Sequence, residues 1–250
     1  MLKVYIVVEG HTERAVIQQV MAPHLANQGI LLFPRIVGKP GKKEGDCKFK
    51  RVLPEICNLI LQDNDSFVTT FFDYYALPND WPDQEKSRQL SSYLQKAEVI
   101  ETGLKKAVLD QFTKINPARF IPYIQMHELE ALLFADSKIM GDILNVDSSL
   151  FQEILNDHDG LCEAINDSKV TAPSKRITEI VPSYKKGSSV NAHGWRILKQ
   201  IGLQKIREQC HRFNDWIEKL ELLDVSDSVT SRSSWLDERR ERMFSLQFIG

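Results

Sequence analysis

The chain has 250 residues, 42% of them hydrophobic and 26% charged, and these ordinary proportions exclude a disordered or fibrous protein. Its 32 basic and 34 acidic side chains give a net charge of −2, so any attraction to nucleic acid must be local. Its 4 cysteines lack the spacing of a zinc site or a disulfide framework, and we expect them to be reduced. No apolar stretch approaches about eighteen residues and no signal-peptide pattern opens the chain, which favours a cytoplasmic protein without membrane spans.

The first half of the chain alternates between strand and helix patterns. Residues 2–8 are a β-branched apolar run of strand length, and the apolar spacing after Thr12 predicts a helix that ends by Gly29. The later predicted elements are strands over residues 30–37, 67–72 and 120–126, and helices over residues 49–62 and 86–114, the last interrupted near Gly103. Connections of this length between successive strands favour an α/β fold with a mostly parallel sheet flanked by helices.

Strand patterns fade after about Leu129. Three later segments have helical patterns, namely residues 143–155, 194–208 and 210–223. The sequence therefore predicts an α/β domain over residues 1–136, followed by a mainly helical extension and tail over residues 137–250.

Acidic residues lie at the carboxyl ends of the predicted strands, where doubly wound sheets have their active sites. Glu9 follows the first strand, Glu13 lies in the first turn of the next helix, and Asp73 closes the third strand. Glu128 and Glu130 follow the fourth. Carboxylates gathered at one edge repel one another unless they bind cations, and an all-oxygen ligand set favours Mg2+ or Mn2+. Two such ions would support phosphodiester cleavage.

Each of these residues also has a structural interpretation. Glu13 would gain about 0.3–1 kcal/mol from the helix dipole whatever the function, and Asp73 could simply cap a loop. Glu128 and Glu130 point to one face only if the fourth strand continues through them, and to opposite sides if a helix has begun. His127 is the kind of residue that more often forms a hydrogen bond in a core than binds a ligand.

Three motifs resemble a known fold family. Residues 7–13, Val-Val-Glu-Gly-His-Thr-Glu, resemble the opening motif of TOPRIM domains, especially those of OLD-family nucleases, in which a strand delivers the key glutamate before a glycine. Asp73 and the two tyrosines after it resemble the second acidic motif of that domain, with Tyr75 at the position of its usual second aspartate. Residues 125–136 and 172–177 are similar to a TOPRIM-like family of unknown function, often encoded in bacteria beside an ATPase in anti-phage cassettes.

This resemblance implies a TOPRIM-like sheet and a metal-dependent endonuclease that cleaves DNA or RNA. It implies catalytic roles for Glu9, Asp73 and Lys175. The metal ligands that it implies are Glu9, Glu13, Asp73, Glu128 and Glu130. The chain has no GxxxxGK[ST] phosphate loop, so we expect a separate ABC- or AAA-type ATPase subunit as a partner in defence. The alternative is a non-catalytic adaptor that binds this ATPase, because Tyr75 replaces a metal ligand.

Basic residues and one histidine are candidates for substrate binding. Lys175 and Arg176 would neutralise charge on the scissile phosphate, although they could equally be a solvated pair. His127 is a further candidate beside the acidic residues. Lys42 and Lys43 belong to a basic stretch, residues 39–51, that would follow a phosphate backbone without selecting a sequence, or would form a solvated loop.

Overall fold

The computed structural model describes residues 1–37, 47–165, 168, 171–184 and 191–224, with the backbone alone for residues 191–193. The strands are β1 (Leu2–Val8), β2 (Ile30–Ile36), β3 (Ser66–Asp73), β4 (Phe120–Ile121) and β5 (Ile124–Gln125). The first helices are α1 (His11–Val16), α2 (Ala22–Ala26), α3 (Phe49–Gln62), α4 (Gln84–Arg88) and α5 (Tyr93–Leu109). The later helices are α6 (Ser137–Leu144), α7 (Ser149–Asn156), α8 (Pro173–Ile180), α9 (Asn191–Ile201), α10 (Leu203–Gln209) and α11 (His211–Glu221).

The strands form a parallel sheet in the order β2-β1-β3-β4, and β5 pairs with β3 beyond the end of β4. Every strand pairing among the described residues is parallel. The register places Val8, the last residue of β1, beside Phe71, two residues before the end of β3. The predicted α/β fold with a mostly parallel sheet flanked by helices is therefore confirmed, and the carboxyl ends of β1 and β3 meet at one edge.

Helices cover both faces of this sheet because the side chains of each strand alternate between two cores. On β1, Val4, Ile6 and Val8 belong to a core that also contains residues of α1, α9 and α11. Tyr5 and Val7 belong to the opposite core, which α3 and α5 complete. All eight residues of β3 are buried, as expected for a strand covered on both sides.

The C-terminal helices pack directly on the sheet. Trp216 of α11 stacks on Tyr123 with the ring centroids 4.3 Å apart, and its Nε1 donates a hydrogen bond of 2.9 Å to the hydroxyl of Thr69 on β3. Residues on both sides of position 136 thus share one core. Whether the boundary between residues 136 and 137 separates two folding units remains a prediction. Among the described helices, none has the length and apolar character needed to cross a bilayer.

Several predicted boundaries were wrong, each for a local reason. The helix around Gly103 is continuous, and the break comes at residues 89–92 instead. The glycine serves a close contact, because a Cβ atom there would meet the side chain of Asp83. The fourth strand is split into β4 and β5. Pro122 lies between them, and a proline has no backbone N–H with which to donate a hydrogen bond to a neighbouring strand. The helix predicted over residues 194–208 is interrupted at Gly202, which has a φ of 84°.

The pattern at residues 143–155 also belongs to two helices and not to one. The chain leaves α6 at Asn145, which adopts a left-handed conformation with a φ of 55°, and α7 begins at Ser149. Asn tolerates this conformation better than most residues, so it acts as a helix stop that an apolar period does not reveal. Other predictions were confirmed: the first helical segment ends before Gly29, and the helix over residues 49–62 has the predicted bounds.

Candidate functional site

The turn after β1 folds one carboxylate back toward another. Glu9 follows the last residue of β1, and α1 begins two residues later at His11. Oε2 of Glu13, in the first turn of α1, accepts a hydrogen bond of 3.0 Å from the backbone N–H of Gly10. A Cβ atom at Gly10 would lie 3.4 Å from the same oxygen, an ordinary van der Waals distance. The turn therefore holds the Glu13 carboxylate against the backbone of Gly10, two residues after the end of β1.

Asp73 lies at the carboxyl end of β3 and forms a hydrogen bond with the segment of residues 127–129. Its side chain is buried, and Oδ1 accepts a hydrogen bond of 2.8 Å from the backbone N–H of Leu129. The backbone N–H of Tyr75 donates to the carbonyl of His127 at 3.0 Å. These two bonds place the segment of residues 127–129 against the carboxyl end of β3.

The acidic residues at the ends of β1 and β3 lie close enough to influence one another. Burial, and after it the negative charges of Asp73 and Glu9, raise the pKa of the Glu13 carboxyl to about 7. A hydrogen bond from Gly10 opposes the shift by stabilising the ionised form. The structure therefore brings Glu9, Glu13 and Asp73 together at one edge of the sheet.

Glu128 and Glu130 lie in neither a strand nor an α-helix. Glu128 precedes the 3-10 turn Leu129–Asp136, and Glu130 is the second residue of that turn. Both side chains are buried. Oε2 of Glu128 accepts a hydrogen bond of 2.9 Å from the backbone N–H of Ser174, in the first turn of α8. Glu128 therefore connects the segment beside Asp73 to the start of a helix more than forty residues later.

His127 is held in the core next to these acidic residues. It is buried, and its Nδ1 lies 2.7 Å from the carbonyl oxygen of Ile165. Because a carbonyl can only accept, Nδ1 carries the proton in this contact. The ring of Tyr74 meets the imidazole edge-on at 6.0 Å. The hydrogen-bonding interpretation of His127 thus accounts for one ring nitrogen, and its predicted role in substrate binding stays a prediction.

The predicted basic pair lies at the start of α8, beside the residue that binds Glu128. Lys175 is exposed and Arg176 is half-buried. Nε of Arg176 is a buried donor without a hydrogen-bond partner in the part of the chain that the structure describes. Lys42 and Lys43 lie outside the described residues.

The contact between Glu128 and Ser174 was not anticipated. The sequence contains a signal for it, because Pro173 is the first residue of α8 and proline is favoured at the first position of a helix. A helix that begins at residue 173 presents backbone N–H groups at its first turn, and these groups attract carboxylates. Which carboxylate binds there depends on tertiary packing, so the sequence could not identify Glu128.

The donor chemistry of this acidic edge fits a hard divalent cation. Carboxylate oxygens are the ligands that Mg2+ and Mn2+ prefer. The pKa of Glu13 is raised first by burial and then by the charges of Asp73 and Glu9, and a cation would neutralise those charges. The present side-chain positions do not complete such a site: within residues 1–37, 47–165, 168, 171–184 and 191–224, no three His, Cys, Asp or Glu side chains are grouped closely enough to hold an ion.

Comparison with known proteins places the chain in a family. No curated protein and no solved structure matches it. The model of a family described as "Domain of unknown function (DUF4276)" matches residues 8–221, from the last residue of β1 to the last residue of α11. This span includes the acidic residues at the ends of β1 and β3 and the basic pair of α8. The chain belongs to the DUF4276 family.

Proposed function

We propose that the protein is a metal-dependent nuclease of TOPRIM type that hydrolyses phosphodiester bonds of DNA or RNA, as the effector of a bacterial defence system with a partner ATPase. The observation that supports the proposal is the convergence of Glu9, Glu13 and Asp73 at the carboxyl edge of a parallel sheet, with the pKa of Glu13 raised to about 7. Structural carboxylates at helix starts do not require three such residues at one edge.

In this proposal Glu9, Glu13 and Asp73 hold Mg2+ or Mn2+, and Glu128 and Glu130 are further candidate ligands. When bound, the ion would supply an activated water and neutralise charge on the phosphate. Without an ion, burial and the charges of Asp73 and Glu9 raise the pKa of Glu13 to about 7, and a bound cation would favour its ionised form. Glu9 is the residue proposed to act as an acid or a base in proton transfer.

The positive charges of Lys175 and Arg176 would stabilise the substrate in the same proposal. They follow Ser174, whose backbone N–H binds Glu128, and in this proposal their side chains reach the acidic edge from α8. Cations near the scissile phosphate offset the negative charge that develops on it.

Cleavage by a charge-removing variant tests this function. The full chain is incubated with Mg2+ or Mn2+ and plasmid DNA or structured RNA, alone and with the proposed ATPase partner. We expect Glu9→Gln to abolish cleavage while circular dichroism shows an unchanged fold. Glu153→Gln is the matched control, because Glu153 is an exposed glutamate on α7. Cleavage by Glu9→Gln at the wild-type rate would refute the assigned site.

The second candidate function is a non-catalytic adaptor that binds the ATPase. It is favoured by Tyr75 at the position of the second aspartate and by the lack of a three-ligand group among the described residues. Calorimetric titration with Mn2+ separates the two functions. The nuclease requires Mn2+ binding that Asp73→Asn weakens at least tenfold, whereas an adaptor with an incomplete site shows no such binding.

A further inference from the structure

The start of α8 is buried and has no cap from its own sequence. Ala172 precedes the helix, and its methyl side chain cannot accept a hydrogen bond. The first turn of α8 contains no acidic residue. Ala172, Pro173 and Ser174 are all buried, and a buried N–H group without an acceptor destabilises a fold. The helix therefore requires an acceptor from another part of the chain.

Glu128 provides this acceptor. Its Oε2 accepts the hydrogen bond of 2.9 Å from the backbone N–H of Ser174, 46 residues later in the chain. Glu128 is only 2% exposed, so this bond is shielded from water. A negative charge at the start of a helix is also stabilised by the helix dipole. Glu128 thus acts as a cap for α8, supplied by tertiary structure.

The backbone on both sides of Glu128 is held at the end of β3. Before it, the carbonyl of His127 accepts a hydrogen bond of 3.0 Å from the backbone N–H of Tyr75. After it, the backbone N–H of Leu129 donates a hydrogen bond of 2.8 Å to Oδ1 of Asp73. The position of the Glu128 backbone relative to Asp73 is therefore fixed from both directions.

The cap of α8 and the tether to Asp73 come from adjacent residues. Leu129 binds Asp73, and Glu128 binds Ser174, so two hydrogen bonds connect the carboxyl end of β3 to the first turn of α8. The basic pair, residues 175–176, directly follows Ser174. Its lysine is exposed and its arginine is half-buried. The cap therefore sets where this basic pair lies relative to the acidic edge.

We propose that Glu128 is a positioning residue, which presents Lys175 and Arg176 to a phosphate at the acidic edge, and that it is not a metal ligand. This inference rests on the proposed nuclease function. Cations stabilise the charge that develops on a phosphate most effectively when the protein holds them in place beforehand. The carboxylates at the ends of β1 and β3 then hold the metal ion, with Glu130 as the further candidate ligand.

Calorimetric titration of the full chain with Mn2+ separates a positioning residue from a ligand. Glu128→Gln keeps a side-chain oxygen that can accept from Ser174 and loses only the charge that a metal would require. We expect its Mn2+ affinity to stay within about threefold of the wild type, whereas Asp73→Asn weakens binding at least tenfold. A tenfold loss in Glu128→Gln as well would identify Glu128 as a ligand and overturn the proposal.

A double-mutant cycle tests whether Glu128 acts through the basic pair. The full chain is titrated in EDTA against a short fluorescein-labelled DNA duplex and an RNA hairpin, with fluorescence anisotropy as the readout. Lys175→Gln and Glu128→Ala should each weaken binding about fivefold. Lys175→Gln should have little further effect in the Glu128→Ala background, because the lysine is no longer held in place. Glu128→Gln should recover most of the affinity, and circular dichroism checks the fold of each variant.

Glu179→Gln is the matched control, because Glu179 is an exposed glutamate further along α8. It should change the affinity for nucleic acid less than about twofold. Additive effects of Glu128→Ala and Lys175→Gln, or no loss of affinity in either, would overturn the positioning role while leaving the metal site intact. A wild-type chain that binds neither Mn2+ nor nucleic acid would instead refute the nuclease function itself, and this inference with it.

Discussion

Glu13 has both a structural contact, at the start of a helix, and a pKa suited to chemistry near neutral pH. Its carboxylate accepts the Gly10 N–H within the first turn of α1, as a helix-start residue would. Burial and the charges of Asp73 and Glu9 nevertheless raise its pKa to about 7, which the helix dipole alone would not do. The sequence showed that Glu9 and Asp73 lie at strand ends. Because β1 and β3 are parallel neighbours, these ends lie close together in the structure. Their actual side-chain spacing depends on rotamers that no sequence pattern specifies.

The raised pKa of Glu13 predicts a pH-dependent effect of its substitution. The unfolded carboxyl ionises near its ordinary pKa of about 4.3, whereas the folded one retains its proton until about pH 7. The stabilising contribution of the proton is therefore complete below about pH 4 and is lost as pH rises through 7. We expect Glu13→Gln to raise the free energy of unfolding by about 1–2 kcal/mol at pH 8, and by much less at pH 5.

Urea denaturation of both proteins at pH 5 and pH 8, without divalent cations, measures this difference. The variant keeps a side-chain oxygen that can accept from Gly10, so the comparison isolates the charge. A matched control is Glu153→Gln, which removes an exposed charge on α7 and should change stability little at either pH. An equal gain at both pH values for Glu13→Gln would show that its charge is not destabilised in the folded protein.

At the scale of single elements, a helix or strand could be predicted where its hydrophobic residues followed one clear spacing along the sequence. The helix Phe49–Gln62 has an apolar face with consistent spacing, and β1 and β3 are β-branched and aromatic runs, so their existence followed from the sequence. The 3-10 turn Leu129–Asp136 is almost entirely apolar and buried, and apolar runs without a period cannot distinguish a turn from a strand or a helix.

Gly103 shows how tertiary contact replaces local preference within an element. A Cβ atom at this position would lie 2.7 Å from Oδ2 of Asp83 and 3.2 Å from its Cβ and Cγ. The absence of a side chain at Gly103 therefore lets Asp83, just before α4, pack against α5. Gly103 does not break α5. Asp83 itself has a φ of 56°, a left-handed conformation that glycine adopts readily.

Gly103→Ala is expected to destabilise the protein by about 1–3 kcal/mol, because overpacking exceeds the gain in helix propensity of about 1 kcal/mol. Thermal and urea unfolding would measure the loss. Asp83→Gly removes the side chain that the new methyl group meets, so the double variant should recover most of the stability. Stabilisation by Gly103→Ala alone would contradict the close contact between α5 and Asp83.

At the scale of the whole molecule, α3 and α5 pack in the core on one face of the sheet, and the core on the other face joins the early strands to the C-terminal helices. Val4, Ile6 and Phe71 from the sheet share it with Trp216 and Ile197 from the C-terminal helices. Sequence patterns indicated a change at about residue 136, from alternating strands and helices to helices alone. They could not show that the later helices cover one face of the earlier sheet, because an apolar helix face does not identify the surface on which it packs.

This shared core predicts the behaviour of a shortened chain. A chain of residues 1–136 would expose the sheet face that α9 and α11 cover, including Tyr123 and the strand residues around Phe71. Burial of such side chains contributes about 1.5–3 kcal/mol each, and the loss of several exceeds the usual net stability of about 5–15 kcal/mol. We therefore expect the shortened chain to bind a hydrophobic dye and to unfold without a cooperative transition, in contrast to the full chain. A sharp cooperative transition and dispersed amide NMR signals from residues 1–136 would instead establish that the sheet folds independently, with the helical extension as a separate unit.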